Sequence, residues 1–207
     1  MNNIFITFEG IDLCGKSTQA KLLFDFLKKK KKKVIFVREP GGTFISEKIR
    51  DILLDKRNHN MCALTEFLLF SASRQQLTEE VIKPHLKKGY YVICDRYYDS
   101  STAYQGYGGK LELKTVMSVN KTATGGLEPD ISFFVDIDFK EAEKRRRIAG
   151  KSRDRMEQKE TAYFRKVVEG YRTIAKKENK RVKLLNGNRP IDVIHNEIKN
   201  ILSKNLK

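Results

Sequence analysis

Short apolar runs alternate with amphipathic stretches along the chain. Five of the apolar runs are rich in β-branched and aromatic residues, which is typical of buried strands. They cover residues 4–8, 34–37, 91–94, 131–135 and 182–185. Between these runs, apolar side chains recur every three or four residues, as they do along one face of a helix. This spacing predicts helices over residues 17–30, 46–55, 62–88, 111–123, 140–149, 162–178 and 191–202.

Strands that alternate with helices indicate βαβ units. We therefore predict an α/β fold of three layers, in which a parallel sheet of about five strands is covered by helices on both faces. The 207 residues show neither an internal repeat nor a linker, so we expect a single domain over residues 1–207. The stretch 150–160 is dense in charges of both signs and has almost no apolar residue that could dock, so it is predicted to be a mobile loop.

The most informative motif lies between the first strand and the first helix. Residues 10–17 match the pattern G-x-x-x-x-G-K-[ST], which in this position predicts a phosphate-binding P-loop. The glycines allow backbone N–H groups to turn toward phosphate oxygens, and the start of the helix adds its positive dipole end. Lys16 is expected to reach the β- and γ-phosphates, and the Ser17 hydroxyl to ligate Mg²⁺. The predicted nucleotide-binding residues are Gly10, Ile11, Asp12, Leu13, Cys14, Gly15, Lys16, Ser17 and Thr18.

A second pair of polar residues follows the third apolar run. Asp95 comes directly after residues 91–94, where a parallel sheet would place it beside the P-loop. A carboxylate there can hold Mg²⁺ directly or through water, although an ordinary turn aspartate would give the same sequence. The neighbouring Arg96 suits a second phosphate group, since a guanidinium pairs with phosphate through two hydrogen bonds.

The formal net charge of +16 is compatible with a nucleic-acid partner. The longest basic run, residues 28–33, consists of lysine alone and follows an amphipathic stretch. Because no aromatic residue interleaves with it, we interpret it as solvated charge at a helix end and expect no nucleic-acid partner. No apolar run has the length of a membrane span, so we expect no membrane association. Three scattered cysteines without disulfide or metal spacing favour a reduced, cytoplasmic protein.

Several segments together resemble the thymidylate kinase family. They are, in family order, the P-loop and residues 38–43 (REPGGT), 69–74 (LFSASR), 95–106 (DRYYDSSTAYQG), 126–130 (GLEPD) and 154–157 (DRME). The resemblance extends from residue 4 to about residue 171, and the stretch 95–106 is its most specific part. It implies a kinase that transfers the γ-phosphoryl group of ATP to dTMP with the help of Mg²⁺. It also implies a homodimer, whose interface could lie along the helix predicted at residues 62–88.

The resemblance further implies a role for individual side chains in binding dTMP. Phe70 would stack on the thymine ring, and Arg74, four residues later on the same helix face, would hydrogen-bond a carbonyl of the base. Ser101 and Gln105 would complete the polar edge of the base site, and Tyr104 would crowd the 2′ position of the sugar. From the residues alone, the favoured interpretation of Phe70 is a core side chain.

Other side chains would hold the sugar, the metal and the phosphates. Asp12 would take the 3′-hydroxyl of the sugar, and Glu39 would lie near the metal or the phosphates. Arg38, Arg50 and Arg96 are candidates for the acceptor phosphate, with Arg96 the foremost. The substrate-binding residues implied by the resemblance are Asp12, Glu39, Pro40, Arg50, Phe70, Arg74, Arg96, Ser101, Tyr104 and Gln105.

One position departs from a subset of the family. Some members carry an arginine in the P-loop directly after the aspartate, where this chain has Leu13. The catalytic positive charge must then come from elsewhere, and residues 151–155 would supply it as a basic lid, as in bacterial-type members. One or two of the arginines at 145–147 could also face the nucleotide. The predicted catalytic residues are Lys16, Asp12, Arg96, Arg155 and Arg153.

Two alternative functions remain compatible with these motifs. One is a kinase for another pyrimidine nucleotide or for a deoxynucleoside, since small changes in the base pocket shift such preferences. The other is a basic, nucleic-acid-binding ATPase that uses the P-loop as a switch, for which tight and steeply salt-dependent binding would be diagnostic.

Overall fold

A five-stranded parallel sheet forms the centre of the computed structural model, which describes residues 3–150 and 152–205. The strand order is β2-β3-β1-β4-β5, and every neighbouring pair is parallel. The strands are β1 (Ile4–Glu9), β2 (Val34–Arg38), β3 (Tyr91–Asp95), β4 (Ile131–Asp136) and β5 (Val182–Asn186). Each is one residue longer than the apolar run that predicted it, and in each the added residue is polar and stands at the carboxyl end. The sheet therefore has a polar carboxyl edge, which is where ligands bind in folds of this kind.

Helices cover the sheet on both faces, as predicted. They are α1 (Lys16–Lys29), α2 (Phe44–Leu54), α3 (Ala63–Leu77), α4 (Lys83–Lys87), α5 (Tyr98–Ser101), α6 (Leu113–Thr124), α7 (Phe139–Ala149), α8 (Thr161–Lys177) and α9 (Ile191–Asn205). The predicted three-layer α/β fold is confirmed.

Two stretches of helix differ from the prediction. The helix expected over residues 62–88 is α3 and α4 joined by a π-helical segment, Thr78–Ile82. A second π-helical segment, Thr102–Gly108, continues α5, although the serine, threonine and glycine residues of this region are typical of a loop. The π segments widen the helix locally, and such widening is frequent at functional sites.

The core follows from the alternation of side chains along the strands. Phe5 packs with Leu77 and Ile82, from α3 and the π segment after it. Its neighbour Ile6 points to the other face and packs in the larger cluster, which contains Leu23 of α1 and Val167 of α8. The sheet is therefore buried on both sides and holds its carboxyl edge rigidly.

The lysine run at residues 28–33 is exposed, and its first two members form the last turn of α1. A helix C-terminus favours positive charge, which is a sufficient physical reason for lysines there. Within residues 3–150 and 152–205, no helix combines the length and the apolar character that crossing a bilayer requires.

Candidate active site

Two cavities open at the carboxyl edge of the sheet. The first, here called the P-loop cavity, is lined by residues 12–19 together with side chains from α7 and from the start of α9, Arg145 and Ile194 among them. The second, here called the Phe70 cavity, lies under α2, α3 and the π segment after α5. Asp12 lines both, so the two cavities meet at the P-loop.

The P-loop has the backbone conformation that its glycines predict. Gly10 has φ 139°, and a Cβ there would lie 2.7 Å from the Val135 carbonyl oxygen and 2.8 Å from the Cys14 sulfur. Gly15, with φ 99°, precedes the first residue of α1, so the free N–H groups of the first helical turn face the cavity. Any side chain at position 10 would therefore push the loop away from the sheet.

Lys16 is held loosely inside the P-loop cavity. Its side chain is buried, and its Nζ lies 3.4 Å from the Ile11 carbonyl oxygen and 3.5 Å from Asp12 Oδ1. Both contacts are at the long end of hydrogen bonding. The ammonium group is thus kept near the loop without a strong partner, and Ser17 and Thr18 stand exposed beside it.

Cys14 is the unusual residue of the loop. Its side chain is almost fully buried, and burial raises the pKa of the thiol against the opposing effect of Lys16. A protonated, buried thiol packs as a small apolar group and does not add charge near the phosphates.

The Phe70 cavity gathers all ten residues that the family resemblance assigned to substrate binding. Sequence reasoning did not find Leu54, Ser100, Asp154 and Met156, which line the same cavity. Leu54 and Met156 add apolar wall. Leu54 lies outside the motifs, whereas Met156 belongs to the stretch 154–157 that the sequence analysis singled out. Ser100 and Asp154 lie within motifs that the sequence did single out.

Arg74 is fixed in the wall of this cavity by four hydrogen bonds. Its Nε donates to Glu39 Oε2 at 2.8 Å, and its other nitrogens donate to Ser101 Oγ at 3.1 Å, Asn120 Oδ1 at 3.1 Å and the Tyr97 carbonyl at 3.2 Å. Burial raises the pKa of Glu39 to about 7, and the charge of Arg74 opposes that rise. The guanidinium plane therefore has one orientation before any ligand arrives.

Arg96 lines the Phe70 cavity and holds the P-loop from that side. It follows β3 with φ 76°, an unfavourable conformation for a residue with a side chain. Its Nη1 donates to the Gly10 carbonyl and its Nη2 to Asp12 Oδ1, both at 2.7 Å. Burial would raise the pKa of Asp12, but the charges of Arg96 and Lys16 hold it well below its ordinary value. Asp12 is therefore a permanent carboxylate at the junction of the cavities.

A buried network behind Arg96 was missed at the sequence level. Glu9 accepts from the Tyr97 backbone N–H at 2.7 Å, from Ser100 Oγ at 2.6 Å and from the Tyr171 hydroxyl at 3.2 Å. Ser100 and Tyr171 each lie 3.3 Å from Arg96 Nη1. Burial and the nearby Asp99 raise the pKa of Glu9 to about 8. Tyr171 sits on α8, far along the chain, so no local pattern could have indicated it.

Asp95 and Ser17 are the predicted metal ligands. Asp95 pairs with Phe8 across β1 and β3, next to the P-loop. Its Oδ1 is buried and accepts no hydrogen bond from any residue that the structure describes. A buried carboxylate oxygen without a partner lowers the stability of the fold, so a further partner such as a metal ion or water is expected here. Hard oxygen ligands of this type, with phosphate oxygens and water, suit Mg²⁺.

The two lid arginines face away from the P-loop. Arg155 is buried, donates from Nε to the Leu53 carbonyl at 2.6 Å, and pairs through Nη1 with Glu66 Oε2 at 2.8 Å. Arg153 pairs with Glu143 on α7. The structure therefore does not bring these arginines to the P-loop cavity, and Lys151 lies outside the described residues.

The lid segment is also better anchored than its composition suggested. The one apolar side chain in residues 150–160, Met156, is buried in the main core cluster. Two reciprocal hydrogen bonds close a turn in this segment. Asp154 Oδ1 accepts one from the Glu157 backbone N–H at 2.9 Å, and Glu157 Oε2 accepts the other from the Asp154 backbone N–H at 3.0 Å. The buried side chain of Met156 and the turn between Asp154 and Glu157 therefore hold residues 154–157 against the rest of the domain.

Two other arginines reach the P-loop cavity instead. Arg145 donates from Nη1 to the Leu13 and Cys14 carbonyls, at 3.3 Å each, and from Nη2 to the Gly187 carbonyl at 2.9 Å. It is the member of the 145–147 run that faces the loop, since Arg146 pairs with Glu143 and Glu157. Arg189, which the sequence did not indicate, also lines the cavity.

These features define a class of protein. A P-loop after the first strand of a parallel sheet, beside a second arginine-containing cavity at the same edge, is the arrangement of a P-loop nucleoside monophosphate kinase. Comparison with known proteins narrows this class to one family. A family model described as "Thymidylate kinase" matches residues 8–198. The chain belongs to the thymidylate kinase family.

Individual relatives match over their full lengths. A thymidylate kinase of Thermosipho africanus is 47% identical over 204 residues, covering 99% of this chain and 100% of the relative. One from Caldanaerobacter subterraneus subsp. tengcongensis is 46% identical over 207 residues, covering 100% and 98%. Among solved structures, the thymidylate kinase from Ehrlichia chaffeensis superposes with a TM-score of 0.80 at 32% identity, over 98% of this chain and 99% of that one.

Proposed function

We propose that this chain transfers the γ-phosphoryl group of ATP to dTMP, giving dTDP and ADP. The observation that carries the proposal is that the Phe70 cavity and the P-loop cavity meet at Asp12. A monophosphate in the first and a triphosphate in the second would present their phosphate groups to each other across this residue. Phosphoryl transfer depends mainly on such positioning and on charge neutralisation.

The Phe70 cavity is the proposed acceptor site. Phe70 lies on its wall, where it stacks on the thymine ring, and Arg74 donates to a carbonyl oxygen of the base. Gln105 and Ser101 meet the remaining polar edge, and Tyr104 fills the space beside the 2′ carbon of the sugar. The support for these roles is that all five side chains line one cavity and that four of them are nine-tenths buried or more.

The acceptor phosphate is assigned to the end of the cavity near the P-loop. Arg96 is fully charged and lines the Phe70 cavity beside Asp12, which its Nη2 contacts. Arg50 lines the same cavity from α2, where its Nη1 donates to the Pro40 carbonyl at 2.9 Å. Glu39 holds Arg74, and Asp12 accepts from the 3′-hydroxyl of the sugar. Bidentate arginine pairing would fix the phosphate for in-line attack.

The P-loop cavity is the proposed ATP site. The backbone N–H groups around Gly15 bind the phosphates, Lys16 neutralises their charge, and Thr18 lines the wall. Ser17 and Asp95 would hold Mg²⁺, which supplies charge neutralisation for the phosphate oxygens when bound. The buried Oδ1 of Asp95, which has no hydrogen-bond partner among the described residues, supports this assignment.

The lid arginines are proposed to move on ATP binding. Arg155 would exchange Glu66 for the donor phosphates, and Arg153 would exchange Glu143. Glu66 would keep a counter-charge after this exchange, since Lys159 Nζ lies 3.0 Å from its Oε1. Closure of this kind adds charge at the transition state and excludes water.

We also propose a homodimer and a cytoplasmic location. Large apolar side chains are exposed on adjoining helices, including Phe44 on α2, Leu64 and Leu68 on α3 and Met117 on α6. Such a patch is costly to leave in water, and a second copy of the chain would bury it. Light scattering of the native chain and of Leu68→Glu tests this, with a dimer for the first and a monomer for the second.

The test of the activity is direct. Purified chain, ATP and Mg²⁺ should form ADP and dTDP at a rate that depends on dTMP. A chain that binds single-stranded DNA tightly at physiological salt and leaves dTMP unchanged would instead have the alternative ATPase function, which family membership disfavours. A chain that phosphorylates another pyrimidine monophosphate in preference to dTMP would instead have the first alternative function, that of a kinase for another pyrimidine nucleotide.

A further inference from the structure

Glu66 forms a buried junction beside the Phe70 cavity without lining it. It stands in the first turn of α3 and is 2% exposed. Its carboxylate accepts hydrogen bonds from three side chains on two other segments. Gln105 Nε2 lies 3.1 Å from Oε1, Arg155 Nη1 lies 2.8 Å from Oε2, and Lys159 Nζ lies 3.0 and 3.1 Å from the two oxygens.

The carboxylate is ionised at neutral pH. Burial on its own would raise the pKa of Glu66, but the charge of Lys159 and the hydrogen bonds from Gln105 and Arg155 outweigh it and lower the pKa. An ionised carboxylate can only accept hydrogen bonds. The Gln105 atom that lies against it must therefore be the amide nitrogen and not the amide oxygen.

This contact fixes what Gln105 offers to a ligand. With Nε2 turned to Glu66, the carbonyl oxygen occupies the other branch of the amide, and Gln105 lines the Phe70 cavity. No residue within the described part of the chain donates a hydrogen bond to that oxygen. Glu66 thus holds the amide by one of its N–H groups, and the carbonyl oxygen is left as a hydrogen-bond acceptor for a ligand of the cavity.

We propose that Glu66 is a positioning residue for base selectivity, because it locks the Gln105 amide so that the acceptor site receives only a base edge that donates. Thymine carries an N–H at ring position 3, whereas cytosine carries a lone pair there. A locked carbonyl pairs with the first and repels the second, while a free amide can turn and pair with either. The inference rests on the proposed function, since it concerns the acceptor base.

The test is Glu66→Gln, measured as the ratio of kcat/KM for dTMP to that for dCMP with the two substrates in competition. The new amide can donate as well as accept, so Gln105 is no longer locked, and the ratio should fall about 10-fold, the factor that separates a matched polar contact from a mismatched one. Lys159→Met is the matched control. It removes another partner of the same carboxylate, leaves Gln105 in place and should keep the ratio within about 2-fold.

The ratio separates a positioning role from a structural one. A variant that is merely destabilised has less active enzyme for both substrates, so its ratio stays at the wild-type value. Should Glu66→Gln fail to fold, because Arg155 is left buried without a counter-charge, Glu66→Gln/Arg155→Gln is compared with Arg155→Gln alone.

An unchanged ratio in the folded variant overturns the inference and leaves the proposed function standing. A wild-type chain that does not phosphorylate dTMP overturns the proposed function, and this inference falls with it. A lower ratio in both Glu66→Gln and Lys159→Met also overturns it, since the effect would then follow the charge of the cluster and not the orientation of Gln105.

Discussion

The two cavities at the carboxyl edge differ in how their charges are held. In the Phe70 cavity, Arg74 makes four hydrogen bonds to protein groups, and its ion pair with Glu39 is almost completely buried. In the P-loop cavity, Lys16 has two long contacts, and Arg189 forms a partly exposed ion pair with Glu197. One cavity is fixed before a ligand arrives, and the other keeps its charge available.

The difference corresponds to two chemical tasks. Choosing one base among similar bases requires polar groups at fixed positions, because an unmatched buried group costs far more than a matched one gains. Holding a triphosphate requires mainly positive charge and N–H groups that can follow the phosphates through the reaction. The Phe70 cavity is therefore preorganised to recognise one base, and the P-loop cavity supplies positive charge to the phosphates.

Lys16→Ala tests the donor side and should have the largest effect. Removing the ammonium group leaves the phosphates without their nearest side-chain charge, so kcat should fall on the order of 10³-fold or more. Binding of dTMP, measured by calorimetry, should change little because Lys16 does not line the Phe70 cavity. Lys21→Ala, an exposed lysine of the same helix, is the control and should be silent. A folded Lys16→Ala protein with near-normal turnover would refute the donor assignment.

Arg155→Ala tests whether the lid serves the donor side. If Arg155 leaves Glu66 for the phosphates in the closed enzyme, kcat should fall on the order of 10²-fold, with little change in the KM for dTMP. Arg153→Ala should have a similar or smaller effect. The measurement is steady-state kinetics with either substrate varied. If the double variant Arg153→Ala/Arg155→Ala kept the wild-type kcat, Arg155 of the wild type would stay paired with Glu66 during the reaction. Arg145 and Arg189 would then supply the positive charge at the donor phosphates.

Tyr171→Phe tests how far preorganisation extends behind the acceptor cavity. The hydroxyl contacts Ser100 at 2.8 Å and Arg96 at 3.3 Å, while the ring stacks on Phe134 and would remain in place. Losing one hydrogen bond that orients Arg96 should raise the KM for dTMP about 5-fold, with a smaller change in the KM for ATP. Tyr90→Phe is the control, because Tyr90 directly precedes β3 and lies at the end of that strand away from Arg96. Equal changes in both KM values would show that the network does not serve the acceptor side in particular.

Glu9→Gln should have the smallest effect on activity and a measurable effect on the pH dependence of the free energy of unfolding. The pKa of Glu9 is about 8 in the folded chain and 4.5 ordinarily, so the folded state binds a proton that the unfolded state releases between these values. The free energy of unfolding of the wild type should therefore fall as pH rises from about 5 to 8, by about 1 kcal/mol per pH unit relative to Glu9→Gln. Urea unfolding at pH 6 and pH 8 measures it, and parallel pH profiles for the two proteins would contradict the assignment.

The sequence predicted most of the fold because strand and helix periods are local properties. All five strands, the P-loop and the division into three layers follow from patterns of a few residues. The helical turn over residues 98–108 was missed because serine, threonine and glycine favour loops locally, and packing against α8 overrides that preference here. Locally weak segments of this kind are decided by tertiary contacts.

The site was predictable to the extent that its residues lie in motifs. Phe70, Arg74 and Gln105 were found because the family resemblance marks them, and the structure brings them to one cavity. Glu66 and Tyr171 were not found, because their importance comes from partners far away in the sequence. The direction in which Arg155 points was also beyond the sequence, since a loop arginine can pair with any carboxylate within its reach.

The most direct test of preorganised recognition is the specificity constant for a panel of monophosphates with ATP and Mg²⁺. Preorganised recognition predicts a modest preference for dTMP over dUMP, since one methyl group in an apolar pocket is worth about 1–3 kcal/mol. It predicts a preference over dCMP on the order of 10³-fold or more, because cytosine opposes both Arg74 and the Gln105 carbonyl with mismatched groups. Equal kcat/KM values for dTMP and dCMP would contradict it.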